Sequence, residues 1–92
     1  MAKYDEAMDP NDMRTLLKLG DLQLRTEAFG EAVATYERVA GFYAQQGFAL
    51  KAIAVYKQVL EIVQKNLPHE EERYAHIATR LAELHRQLGL EP

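Results

Sequence analysis

Two consecutive stretches of the chain place apolar residues three and four apart: Ala32, Val33, Tyr36, Val39, Ala40 and Tyr43, then Ala49, Ala52, Ile53, Tyr56, Val59, Leu60 and Val63. That spacing puts each set on one face of an α-helix. Gln45-Gln46-Gly47 separates them, and Gly47 suits the left-handed residue that commonly closes a helix. Upstream, Leu16, Leu19, Gly20 and Gln23, with Leu22 and Leu24 beside them, predict a helix over about residues 12–26. Asp9-Pro10-Asn11-Asp12 forms a turn-and-cap cluster in which Asn11 or Asp12 can accept bonds from the first free amides. Thr26-Glu27-Ala28-Phe29-Gly30 breaks the pattern, and Lys65-Asn66-Leu67-Pro68 ends the third helix. A fourth opens on Glu70-Glu71-Glu72, where the helix dipole favours negative charge, and carries a seam of Tyr74, Ile77, Leu81, Leu84 and Leu88. Arg86 and then Gly89 supply its stop signal. No proline falls between Pro10 and Pro68, and no period-two alternation competes. The chain is therefore expected to be all-α: four helices whose short hinges make neighbours antiparallel, forming helical hairpins.

The second and third helices echo one another. Residues 31–40 and 51–60 share Ala32/Ala52, Ala34/Ala54, Tyr36/Tyr56 and Val39/Val59 in register. A chain that repeats a helix-length unit stacks similar elements, and such arrays bind other proteins far more often than they catalyse. Gly20 and Gly41 lie inside helices, where glycine costs about 1 kcal/mol relative to alanine. Close approach of a neighbouring helix is the expected compensation at both, and a chance surface glycine is the competing reading, more so at Gly41 than at Gly20.

Composition narrows the function classes. Ninety-two residues make one small domain with an ordinary apolar fraction, so a folded core is expected. A net charge of -3 argues against nucleic acid, which calls for a basic footprint. The longest uncharged apolar-leaning stretch, 39–50, holds two glutamines and two glycines and is too short to span a bilayer. There is no cysteine and no pattern of a secretory signal, which fits a reduced, cytoplasmic protein. Serine is absent too, and no glycine-rich phosphate loop occurs, so an enzyme is not expected.

Leu16-x-x-Leu19-Gly20-x-x-Gln23 followed by Ala32-x-x-x-Tyr36 resembles the tetratricopeptide repeat, and in overall character its bacterial members. Ala40-x-x-Tyr43-x-x-x-Gly47 leading to Ala52-x-x-x-Tyr56 looks like a second hairpin of that kind, and Leu81-Ala82-Glu83-Leu84-His85 like a further first helix. The resemblance covers about residues 9–90 and implies a right-handed superhelical array. It departs from the family in its echo spacing of 20 residues, where a full repeat has 34, so one helix serves two hairpins. The last helix resembles a first helix without its partner. Residues 1–11 read as an arm or the remnant of a preceding repeat, and 12–90 as the helical domain.

The resemblance also implies a binding face on the first helices, which here includes Arg14, Leu17, Lys18, Asp21, Leu24 and Arg25. Leu17 and Asp21 stand where members that clamp a C-terminal carboxylate carry lysine and asparagine, so a clamp of that type is not expected. Ordinary core packing is the competing reading of Leu17 and Leu24. On the fourth helix His69, Arg73, His76 and Arg80 form a basic stripe that suits an acidic peptide, or else pairs with Glu70, Glu72 and Glu83. Glu72 and His76 make two ligands at helical spacing, short of the three or four that zinc takes, so no metal or other cofactor is expected. The expected function is a scaffold that holds a peptide or partner helix in its groove. The alternative is self-association, through the last helix or a swap at Gln46-Gly47, and a small metal-binding domain comes third.

Overall fold

The computed structural model describes residues 10–89, with side chains from Asp12 onward. These residues form four helices: α1 (Pro10–Arg25), α2 (Phe29–Gln45), α3 (Ala49–Asn66) and α4 (Glu71–Gln87). The fold is all-α. The helix α1 begins at Pro10, whose fixed φ suits a first helical position, so Asn11 and Asp12 fall inside its first turn. The expected N-terminal arm, 1–9, lies outside the described residues. Phe29 and Gly30 open α2 and do not precede it.

The first two turns are built alike. After α1, Glu27 takes a left-handed φ of 65°; its N–H donates to Leu24 O at 3.0 Å and the Ala28 N–H to Gln23 O at 2.8 Å. After α2, Gly47 has φ 89°, its N–H donates to Ala44 O at 3.1 Å and the Phe48 N–H to Tyr43 O at 2.8 Å. Both are Schellman closures, in which two otherwise orphaned carbonyls at the helix end are satisfied. Helix α2 and its turn, from Phe29 to Phe48, occupy twenty residues, and this is the spacing of the sequence echo. Tyr36 and Tyr56, Ala32 and Ala52, Val39 and Val59 are all buried, whereas Ala34 and Ala54 are both exposed.

Packing is sequential: α1 on α2, α2 on α3, α3 on α4. The result is a slab 37 × 36 × 21 Å, about two helix diameters thick. Its core runs through Ala32, Val33, Tyr36, Ala40, Tyr56, Val59, Val63 and Ile77. Gly20 earns its place in α1, because a Cβ there would stand 2.8 Å from Tyr36 Cε1. Gly41 does not: no heavy atom of a neighbouring element lies within 4 Å of where its Cβ would be. Close helix approach therefore explains one of the two glycines.

The end helices keep less of their expected seams. In α1 the buried positions are Met13 and Gly20, with Leu16, Leu17, Gln23 and Leu24 half-buried, while Leu19 and Leu22 are 42% and 53% exposed. They point away from α2, where α1 has no further neighbour among the described residues. In α4 Ile77 and Leu84 are buried, but Tyr74 and Leu88, at the two ends of the predicted seam, are exposed. The outward side of α4 carries Glu72, Ala75, Thr79, Ala82 and Arg86, all exposed and polar or small.

Candidate functional site

Because helices pack on their sequence neighbours, alternate helices leave troughs between them. The larger lies between α2 and α4, with Tyr56 of α3 beneath it and a volume of about 520 Å³. Gly41, Phe42, Ile77 and Leu84 give it an apolar lining; Glu37 and Arg38 on α2 and His76, Arg80 and Glu83 on α4 supply its charges. At its centre the half-buried Glu37 carboxyl is raised above the usual range by burial, opposed by the positive charges of Arg73, His76 and Arg80. The Tyr56 phenol is also raised, chiefly by burial, with Arg80 acting the other way and Glu37 and Glu83 adding to the rise.

A smaller notch of about 290 Å³ opens between α1 and α3. Met13, Leu17, Tyr43 and Phe48 line it, and Arg14 and Lys51 are its charged residues. The Tyr43 and Phe48 rings meet edge to face at 6.4 Å, the contact that accompanies the Schellman turn between α2 and α3. The Lys51 ammonium lies 5.6 Å from the Tyr43 centroid and 5.2 Å from that of Phe48.

The predicted binding residues therefore divide. His76 and Arg80 face the α2–α4 trough, whereas Arg14 and Leu17 belong to the α1–α3 notch. Leu24 is half-buried against the core, and Lys18 and Arg25 are exposed. Asp21 accepts a hydrogen bond from the buried Tyr36 hydroxyl, whose pKa is raised by burial, by this bond and by the carboxylate's charge. Next to it, Thr35 Oγ1 donates to Gln23 Oε1 at 2.7 Å. Asp21 thus joins α1 to α2, a role invisible to helical spacing alone. The basic stripe also breaks up: His69 stands in the turn before α4, and Arg73 Nη1 sits 3.3 Å from Glu70 Oε1. Glu37, Arg38, Gly41 and Phe42 were missed as site residues. The clue lay in Gly41, an interior glycine with no structural duty.

Nothing here forms a metal centre, since no three His, Asp or Glu side chains among the described residues are grouped to hold an ion. No described helix is long and apolar enough to cross a membrane. No family model, curated protein or solved structure matches the chain.

Proposed function

We propose that the protein is a non-catalytic interaction module, similar in design to tetratricopeptide arrays, that holds a segment of another protein in the α2–α4 trough. The carrying observation is the trough itself: an apolar floor with charged walls, left open by sequential packing of antiparallel helices. Such a surface offers apolar anchors for affinity and charges for choice of partner. Display selection of random peptides against the folded chain tests it. A recurrent consensus is expected, with binding lost in Arg38→Glu/Arg80→Glu while circular dichroism stays unchanged. Enrichment of nothing, or binding indifferent to that double variant, would defeat the proposal.

A second copy of the chain is the alternative occupant. It is favoured by one observation, the exposed Leu19 and Leu22 on the outward side of α1. The polar outward side of α4 gives it no support.

A further inference from the structure

The α1–α3 notch differs from the larger trough in the sign of its charges. Every charged residue in its lining is a cation: Arg14 on α1 and Lys51 in the first turn of α3. Both are exposed, and among the described residues no carboxylate pairs with either. Asp12 is exposed and outside the lining, two residues from Arg14 and so on another side of α1. The first turns of α1, α2 and α4 each carry an acidic residue, whereas that of α3 carries none. The positive end of the α3 dipole therefore adds to the two cations. Met13, Leu17, Tyr43 and Phe48 make the rest of the lining largely apolar.

We propose that this notch holds the chain's own residues 4–9, with Tyr4 and Met8 against the apolar lining and the neighbouring carboxylates facing Arg14 and Lys51. The proposal concerns a different surface from the α2–α4 trough and stands whether or not a partner occupies that trough. Two observations choose the occupant. The first is charge complementarity. Tyr4-Asp5-Glu6-Ala7-Met8-Asp9 holds three carboxylates and no cation, beside an aromatic ring and a thioether. Tyr4 and Met8 are four apart, so they share a side of the backbone whether it is extended or helical. Such a segment is the complement of an apolar notch whose only charges are positive. The second observation is reach. The segment runs directly into α1 at Pro10, and Met13, Arg14 and Leu17 lie about 5–11 Å further along that helix at 1.5 Å per residue. Six residues reach up to about 20 Å at 3.3 Å each. Proline disfavours helical backbone at the residue before it, so the chain can turn off the α1 axis at Asp9 and run back over the notch. A tether this short sets a local concentration on the order of millimolar, which a segment of another protein has to outcompete. Docked there, residues 4–9 close the notch and leave the α2–α4 trough as the open one.

Solution NMR of the full chain is the test. Nuclear Overhauser effects are expected from the Tyr4 ring to the side chains of Met13 and Leu17, and isotope-filtered spectra of mixed labelled and unlabelled chains should show them to be intramolecular. Arg14→Glu/Lys51→Glu reverses two exposed charges and should weaken docking about fivefold, read from the intensity of those effects, with the amide spectrum of α2 to α4 retained. Adding Asp5→Lys/Glu6→Lys should restore them. No contact from Tyr4 to the notch overturns the proposal, and so does contact with Leu19 and Leu22 on the outward side of α1. Contacts that prove intermolecular give the notch to a second copy and overturn it as well. Contacts indifferent to both charge variants overturn the role assigned to the carboxylates.

Discussion

Glycine at position 20 and glutamate at position 27 show what one side chain costs in this fold. Placing a Cβ on Gly20 would put it 2.8 and 2.9 Å from Tyr36 Cε1 and Cζ, and that ring is fully buried and tied by its hydroxyl to Asp21. Overpacking of this kind costs about 1–3 kcal/mol, partly offset by alanine's better helix propensity. Gly20→Ala is therefore expected to lose about 1–2 kcal/mol in urea denaturation. Glu27 holds the left-handed position that Gly47 fills one turn later. A non-glycine residue is strained there, so Glu27→Gly should gain about 1 kcal/mol in the same measurement. Glu37 ties stability to pH. Its folded pKa is raised above the ordinary 4.5, so the folded state holds the proton more tightly and Glu37 weighs against folding once pH passes its folded pKa. Glu37→Gln should raise the melting temperature at neutral pH, and the gain should vanish below about pH 4.5, where the carboxyl is protonated in both states. The groups facing it, Arg73, His76 and Arg80 on α4 and Tyr56 on α3, remain in that variant, and an undiminished gain at low pH would assign the effect to packing. Of these residues, Gly20 was legible in the sequence because a glycine amid helical spacing asks for a neighbour. Gly41 asked the same question, and no neighbouring element answers it. Asp21 is exposed as expected, but its bond to the Tyr36 hydroxyl could not be read from spacing, which names a face and not the ring across from it.

Helices α2 and α3 have neighbours on both sides, whereas α1 and α4 pack chiefly on one. That difference explains where periodicity succeeded. In the middle helices the repeated Ala, Tyr and Val positions are buried as the spacing predicts, since two neighbours cover most of the circumference. In the end helices the same spacing marks a wider apolar face than the fold covers, which leaves Leu19, Leu22, Tyr74 and Leu88 exposed. The twenty-residue echo was visible as a repeat, yet its meaning as one helix plus one Schellman turn depends on backbone geometry. The element scale also carries a stability gradient. Amides of α2 and α3 should exchange most slowly with deuterium, and those of α4 faster, because sub-global opening follows the least-covered element. Ile77 is the fully buried anchor of α4, and Ile77→Ala should cost about 2–5 kcal/mol. If α4 opens on its own, that variant will accelerate exchange in α4 while leaving α2 nearly as protected as before. Uniform acceleration through all four helices would instead mean that the slab opens as one unit.

At the scale of the whole molecule, what matters is whether a flat stack with two open troughs stands alone. A stacked array needs polar surfaces at its ends to stay soluble. The α4 end provides one, with Glu72 and Arg86 among small residues. The α1 end is less polar, but its apolar content on that side is Leu19 and Leu22 beside Thr15, Lys18 and Thr26, all exposed. Two leucines make a small patch, whereas a stable protein–protein interface buries about 800 Å² on each partner. Light scattering after size exclusion, over a hundredfold range of concentration, should therefore give the monomer mass throughout. A mass that rises with concentration and returns to the monomer in Leu22→Glu would place a second copy on α1 and make self-association the leading function. A rise that survives Leu22→Glu but disappears in Gly41→Leu would put that copy in the α2–α4 trough, where the chain would be serving as its own ligand.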